Sequence, residues 1–181
     1  MKRAMSTVKN IAAAAMTLAV FFGFAGFKPV TANAAQAAMP ATASVEEENS
    51  YFEEDAYQRS FLTLVNNERA KAGLAPVALG DSSHNAAART RAEEIAVVNS
   101  HVRPDGSKCF TVLKDYGVTD IPTGENAAWG SVSPEEVVNA WMNSEGHRAN
   151  ILNPEARKMS VGYYYNSNST WGHQWIQIFT K

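Results

Sequence analysis

The sequence predicts an α+β domain in which helices cover a small antiparallel sheet. Apolar residues recur at helical spacing through most of the chain, and after position 158 the pattern changes to period-two alternation with many aromatic residues. The only cysteine, Cys109, has no partner for an intramolecular disulfide. The fold must therefore be stabilised by packing, which a globular chain of roughly 125 residues can supply.

Residues 1–34 are predicted to be an export signal and are excluded from the fold. They begin with positively charged residues, continue with an apolar run at 11–27 and end with small residues at Ala32 and Ala34. We expect cleavage before Ala35. An uncleaved membrane anchor stays open as the alternative, because the apolar run is only just long enough to span a bilayer.

Residues 35–55 are predicted to be a disordered acidic linker, because they carry six acidic side chains and little apolar surface. Residues 1–34 hold four of the 16 basic side chains and no acidic one, so the rest of the chain has 12 basic against 18 acidic, a formal net charge of −6. This charge argues against a nucleic-acid partner and against adhesion to an anionic membrane. After signal cleavage we expect no stable membrane span.

The domain itself is predicted to span residues 56–181 and to begin with two helices. The first carries its apolar residues on one face and ends at Gly73. The second covers the Ala-rich stretch 82–98. His84 lies in this stretch among polar neighbours, so we expect its ring to be exposed.

Two shorter helices follow. One is predicted over residues 108–116, where Cys109 is expected to be a small buried hydrophobe rather than a nucleophile. The clearest helix start is Ser133-Pro134-Glu135-Glu136, a capping box with Ser at the N-cap and Pro at N1. This helix directs Trp141 inward, and its two glutamates are expected to be first-turn acids rather than catalysts.

The C-terminal residues are predicted to form strands. Alternation over 159–165 and an aromatic, β-branched run over 171–179 flank a turn rich in Asn and Ser, which indicates an antiparallel hairpin. Residues 124–129 are a candidate third strand. His173 alternates with Trp175 on one face, so we expect a packed strand histidine rather than a metal ligand.

Three polar stretches form the candidate functional site. Residues 141–152 contain His147, Ser100-His101 supplies a second imidazole, and Gly124-Glu125-Asn126 supplies a carboxylate. We predict that His101, Glu125 and His147 meet in one water-accessible cleft. Two neutral imidazoles with a carboxylate and water suit an open tetrahedral metal site. A structural interpretation is equally open, in which Glu125 accepts a hydrogen bond from an imidazole.

These stretches carry a family resemblance that covers about residues 57–181. The motifs that carry it are, in order, Val65-Asn66-Asn67-Glu68-Arg69, Ser100-His101-Val102-Arg103-Pro104-Asp105-Gly106, Gly124-Glu125-Asn126-Ala127-Ala128, residues 141–152 and the aromatic last strand. Together they resemble the bacterial branch of the CAP superfamily, named for cysteine-rich secretory proteins, antigen 5 and pathogenesis-related 1 proteins. The resemblance implies a three-layer α-β-α sandwich, the CAP fold, with a solvent-open central cleft.

The resemblance also implies that two histidines and two acidic residues line that cleft. His101 and His147 match the histidines, between which some family members hold metal ions such as zinc. Glu125 matches the first acidic residue. Glu145 is the candidate for the second, one position after the place where the family pattern has an acid and this chain has Ser144.

We therefore expect a secreted or cell-envelope protein whose cleft binds a small molecule, lipid, glycan or protein, with zinc at His101 and His147. The alternative is a metal-dependent extracellular hydrolase or peptidase in which Glu125 is the catalytic base. A third class is an interaction protein that uses neither histidine. The binding module is favoured over the enzyme because a catalytic role must be argued from the geometry of the site itself. The ligands come from separate loops and no His-Glu-x-x-His helix is present, so we expect metal binding to be weak.

Overall fold

The computed structural model describes residues 45–181, with side chains from Glu54 onward. The predicted export signal and residues 35–44 of the predicted linker lie outside the described residues. Five helices and four strands follow in the order α1 Val45–Lys71, β1 Ala78–Leu79, α2 Ser82–Val97, α3 Thr111–Asp115, β2 Pro122–Trp129, α4 Pro134–Met142, α5 Glu145–Ile151, β3 Lys158–Asn166 and β4 Gly172–Thr180. In this part of the chain, no helix has the length and apolar character that crossing a membrane requires.

The strands form one sheet in the order β1-β3-β4-β2. β3 and β4 are the predicted antiparallel hairpin, and β2 is the predicted third strand, paired antiparallel with β4. β1 was not predicted. Its two residues run parallel to the start of β3, and the amide of Ala78 donates to the carbonyl of Arg157 at 2.9 Å. The sheet is therefore antiparallel except for this short parallel edge.

Helix α1 begins within the segment for which the sequence predicts a linker, so the helical part of the chain starts before Ala56. Contacts from outside the segment reach Glu54, near its C-terminal end. Gln58 Nε2 donates to Glu54 at 3.1 Å, and Arg89 of α2 lies 3.6 Å from the same carboxylate. Burial raises the pKa of Glu54 although Arg89 lowers it. Composition alone missed these contacts, because Arg89 is distant in sequence.

Two apolar clusters lie on opposite faces of the sheet and confirm the three-layer sandwich. Trp175 and Phe179 of β4 belong to the cluster formed with α1, α4 and α5. Ile176 and Ile178, which alternate with them, belong to the cluster formed with α2 and α3. Alternate residues of the central strand β4 therefore contribute to the apolar core on each face of the sheet. The helices cover the two faces with their apolar stripes.

The start of α4 confirms the predicted cap. Ser133 Oγ accepts a hydrogen bond from the amide of Glu136 at 3.3 Å, and the Glu136 carboxylate accepts one from the amide of Val132 at 2.9 Å. Trp141 is buried as predicted, and its Nε1 donates to the carbonyl of Ala127 on β2 at 3.0 Å. This contact fixes the end of α4, and therefore the start of α5, against the sheet.

Cys109 is buried just before α3, and burial raises the pKa of its thiol to about 12, as expected for a packed residue rather than a nucleophile. α3 is shorter than predicted and begins at Thr111. His173 is also packed: its Nδ1 lies 2.9 Å from the Tyr163 hydroxyl, and the two rings stack.

His84 corrects one prediction, because its ring is buried rather than exposed. Nδ1 lies 2.8 Å from a carboxylate oxygen of Asp81, the N-cap residue of α2, and Nε2 lies 3.1 Å from Asp120. Lys158 of β3 donates to the same Asp120 oxygen at 2.8 Å. The sequence did not indicate Asp120 as a partner, because it lies 36 positions after His84.

Gly162 lets α2 pack directly on β3. A Cβ built on Gly162 would lie 2.0 Å from the carbonyl oxygen of Ala88, in the backbone of α2. That distance is far inside van der Waals contact, and backbone cannot rotate away as a side chain can. The absence of a side chain at this position sets the distance between the helix and the sheet.

Gly162→Ala is expected to destabilise the fold by about 3 kcal/mol, because the helix must move off the sheet to admit the methyl group. The measurement is urea unfolding followed by far-UV circular dichroism. Gly146→Ala is the matched control: no atom lies within 4 Å of its added Cβ, so its free energy of unfolding should change by no more than about 1 kcal/mol. Equal effects from the two changes would contradict this account.

Candidate functional site

The site is built on Glu125, whose side chain is only 2% exposed on β2. Arg91 of α2 donates to both of its carboxylate oxygens, from Nε at 3.0 Å and from Nη2 at 3.2 Å. His101 Nδ1 lies 2.8 Å from Oε1. An ionised carboxylate only accepts hydrogen bonds, so Nδ1 carries the proton and the bond fixes the orientation of the ring.

Arg91 belongs to a chain of alternating charges that holds the segment after α2. Its Nη1 donates to Glu94 at 2.7 Å and its Nη2 to the carbonyl of Ser100 at 3.1 Å. Arg103 donates to the other Glu94 oxygen at 2.9 and 2.7 Å, and to Asp115 at 2.6 Å. His101 therefore lies in a loop that is anchored on both sides.

The pKa values in the site follow from these contacts. Burial raises the pKa of Glu125, but the hydrogen bonds from His101 and Arg91 outweigh it and the pKa is lowered. The hydrogen bond to Glu125 raises the pKa of His101, against the opposing effect of partial burial. Desolvation lowers the pKa of His147, and the positive charge of His101 lowers it further. The pKa of His147 therefore depends on the charge of His101 as well as on burial.

An amide network docks α5 on β2 and so positions His147. Asn150 Nδ2 donates to the carbonyl of Glu125 at 3.1 Å and to Asn126 Oδ1 at 2.8 Å. Asn126 Nδ2 donates to the carbonyl of His147 at 3.2 Å. Gly124 makes the close approach possible, because a Cβ there would lie 2.6 Å from the Asn150 side chain.

The structure brings some of the predicted site residues into direct contact and leaves others without such a contact. His101 and Glu125 are in direct contact, and His147 lies within electrostatic reach of His101. Glu145 is exposed in the first turn of α5, and within residues 54–181 it has no hydrogen bond or ion pair to join it to the histidines. Its place as the fourth cleft residue stays a prediction. Arg148 Nη1 caps the carbonyl of Met142 at 2.9 Å, a structural contact.

Sequence reasoning missed the residues that support the site. Arg91 was not among the candidate site residues, yet a charged residue among buried alanines indicates a buried partner of opposite charge. The side chains that the sequence did not single out are Glu94, Arg103, Asn126 and Asn150. Asn126 and Asn150 have partners at least 21 positions away, and Arg103 reaches Glu94 across a loop, so only the fold pairs them.

Of the two predicted metal ligands, His101 is the one whose ring orientation is fixed by a hydrogen bond. His101 donates from Nδ1 to Glu125, and this hydrogen bond leaves Nε2 as the ring nitrogen that could bind a metal ion. Both oxygens of Glu125 accept hydrogen bonds and are poor candidates for a third ligand. Among residues 54–181, no group of three or more His, Cys, Asp or Glu side chains is arranged to hold a metal. A metal here would complete its coordination with water or with a bound ligand.

Arg91→Ala is expected to destabilise the protein by about 3–5 kcal/mol, because it leaves the Glu125 carboxylate buried without its main partner. Chemical denaturation would measure the loss. Arg59→Ala serves as the control, since Arg59 forms only an exposed ion pair with Asp55 and should cost no more than about 1 kcal/mol. Similar losses at the two positions would contradict a special role for Arg91.

The two histidines are expected to titrate on opposite sides of the ordinary histidine pKa, His101 above it and His147 below it. In His101→Asn the pKa of His147 should rise, because the neighbouring positive charge is gone. Because the folded pKa of His101 is raised, its pair with Glu125 contributes its full stabilisation below the ordinary histidine pKa of about 6.5. That contribution is lost as the pH rises through the folded pKa. NMR titration of the imidazole protons measures both values; coincident curves would contradict the prediction.

Solved structures share this fold. An extracellular protein containing an SCP domain from Bacillus anthracis superposes with a TM-score of 0.63 at 23% identity, over 78% of this chain and 45% of that one. An outer surface protein from Borrelia burgdorferi superposes with a TM-score of 0.56 at 22% identity, over 68% of this chain and 90% of that one. At these identities the likeness establishes the fold alone.

Sequence comparison establishes the family. The uncharacterized protein YkwD of Bacillus subtilis is 42% identical over 123 residues, which is 67% of this chain and 47% of that protein. The uncharacterized membrane protein YlbC of the same organism is 35% identical over 61% of this chain and 33% of its own length. The chain thus spans less than half of these relatives. The profile of the cysteine-rich secretory protein family matches residues 62–179, and the chain belongs to this family, the CAP superfamily.

Proposed function

We propose that this chain is a secreted or cell-envelope binding module whose cleft, formed by His101, Glu125 and His147, takes a ligand together with a divalent metal ion such as zinc. The observation that carries the proposal is the bond between His101 Nδ1 and Glu125 at 2.8 Å. It orients a ring that is 56% exposed at the mouth of the site, with its second nitrogen available.

The arrangement matches the way proteins prepare histidine to bind a metal. A carboxylate that accepts from one ring nitrogen selects the tautomer and increases the basicity of the other. His147 contributes in a different way, because its lowered pKa keeps the ring neutral and its nitrogens free of a second proton at neutral pH. A bound zinc ion would supply a Lewis acid to which an oxygen or nitrogen of the ligand coordinates.

The same contacts argue against the hydrolase alternative. A general base needs a carboxylate that can take a proton near neutral pH. Glu125 has both oxygens in hydrogen bonds with Arg91 and His101, and its pKa is lowered. Its geometry suits holding His101 rather than accepting a proton from water. We therefore propose ligand binding rather than turnover.

Proposed localisation outside the cytoplasm rests on the predicted signal at residues 1–34 and on the fold neighbours. One of those is an extracellular protein and another an outer surface protein. The ligand class for the histidine cleft stays as broad as the sequence predicts: a small molecule, lipid, glycan or protein. Its immediate surroundings are polar and hydrogen-bonded, and they suit a ligand with oxygen or nitrogen donors.

Zinc is expected to bind wild-type protein at neutral pH with one-to-one stoichiometry and to raise its melting temperature. Both effects should be lost in His101→Ala and in His147→Ala, and should weaken below pH 6 as the imidazoles are protonated. Isothermal titration calorimetry and thermal unfolding in parallel provide the measurements.

Two controls sharpen this experiment. His173→Asn changes a packed histidine outside the cleft and should leave the zinc affinity unchanged. Glu145→Gln tests the remaining predicted cleft residue and should also leave it unchanged, because Glu145 has no contact with either histidine among the described residues. Zinc binding that persists in both His101→Ala and His147→Ala would contradict the proposed metal site. Chelator-sensitive hydrolysis of peptides or esters by the wild type, lost in both variants, would contradict the proposal that the protein only binds its ligand.

A further inference from the structure

A second groove lies on the same face of the sheet as Glu125, at the far end of β2. Trp129 is four residues beyond Glu125 along the strand, a separation of roughly 13 Å. The groove has a volume of about 270 Å³ and is open to solvent between the end of α2 and the turn that joins β3 to β4. It is separate from the histidine cleft and shares none of its side chains.

The groove presents an aromatic surface that folding does not require. Trp171 is 56% exposed, and Val97 at the other rim is 78% exposed. The Trp171 ring lies over Gly130, with Cε3 3.5 Å from the place of a Cβ on that glycine, an ordinary van der Waals distance. Trp129 forms part of the wall, and its Nε1 lies 3.5 Å from the carbonyl of Ile95. Exposed aromatic area of this kind is typical of a binding surface.

The turn that carries Trp171 is held in place before any ligand arrives. Ser169 Oγ accepts hydrogen bonds from the amides of Trp171 and Gly172, both at 3.1 Å. A further hydrogen bond of 2.9 Å joins Ser169 Oγ to the buried side chain of Gln174. A ligand would therefore meet a preformed aromatic surface and would not have to order the turn on binding.

The polar side chains of the groove indicate the chemistry of its ligand. None of its lining side chains is charged, and its free polar groups belong to Asn99, Asn168 and Thr170. All three are exposed, and within residues 54–181 their side chains have no hydrogen-bond partner. Amides and hydroxyls both donate and accept. A charged ligand would find no counter-charge here, and a lipid chain would leave these groups unsatisfied.

We propose that this groove binds a neutral saccharide. A sugar ring has an apolar face of C–H groups, which packs on the indole of Trp171, and a rim of hydroxyls, which pair with Asn99, Asn168 and Thr170. The two features of the groove, an exposed indole and uncharged polar groups around it, are the two that such a ligand uses. The site is independent of the histidine cleft and of any metal there.

The test uses the full secreted chain and four soluble probes: cellotetraose, maltotetraose, chitotetraose and, as an anionic comparison, a galacturonic acid oligomer. Two-dimensional amide NMR titration at millimolar probe concentrations measures affinity and location together. At least one neutral probe should bind and shift the amide signals around Trp129 and Trp171, and the anionic oligomer should not. Trp171→Ala should weaken binding by about tenfold or more, with Trp171→Phe recovering part of it.

Tyr165→Ala is the matched control, because Tyr165 is an aromatic residue of the same hairpin, is 54% exposed and does not line this groove. It should retain the affinity of the wild type, as should His101→Ala. The proposal is overturned if no neutral probe shifts the amide signals of the groove. It is also overturned if Tyr165→Ala weakens binding as much as Trp171→Ala. Loss of sugar binding in His101→Ala would place the ligand in the histidine cleft instead.

Discussion

The buried ion pair between Arg91 and Glu125 is the constraint on which the site depends. It joins α2 to β2 across the sheet interface, with both charges withdrawn from water. Such a pair is costly to desolvate and very costly to break, because either partner alone would be an uncompensated buried charge. The two Nη groups of Arg91 extend the network to Glu94 and to the backbone of Ser100. The loop carrying His101 is therefore ordered by the same contacts that hold the layers together.

This constraint also limits the chemistry of the site. A carboxylate that is buried and hydrogen-bonded by both Arg91 and His101 orients an imidazole well and accepts a proton poorly. His147 reaches the site from the other layer, on a short helix docked by Asn150. The two histidines come from separate elements, and the pKa of one is raised while that of the other is lowered, so they differ in protonation over the pH range in which histidine titrates.

Sequence patterns predicted the parts of the fold that depend on neighbours in the chain. The cap at Ser133 and the alternation through Trp175 each involve residues within a few positions of one another, and both were confirmed. The burial of His84 and the early start of α1 were not predicted. His84 meets Asp120, and Glu54 of α1 meets Arg89, through contacts that connect distant parts of the chain. Composition carries no signal for a contact with a helix that is distant in sequence, such as that between Glu54 and Arg89.

By itself, the sequence predicted the helices α1 to α4, the antiparallel hairpin with its third strand, the family, and a polar site that includes His101 and Glu125, because period and motif reflect local geometry and shared ancestry. Only the tertiary structure decided that Arg91 pairs with Glu125, that Asn150 docks α5 on β2, and that Trp171 is left exposed beside uncharged groups. The physical reason is that burial and pairing are properties of packed surfaces. Which charged groups pair, and which aromatic rings stay exposed to solvent, is set only when the layers of the sandwich pack together.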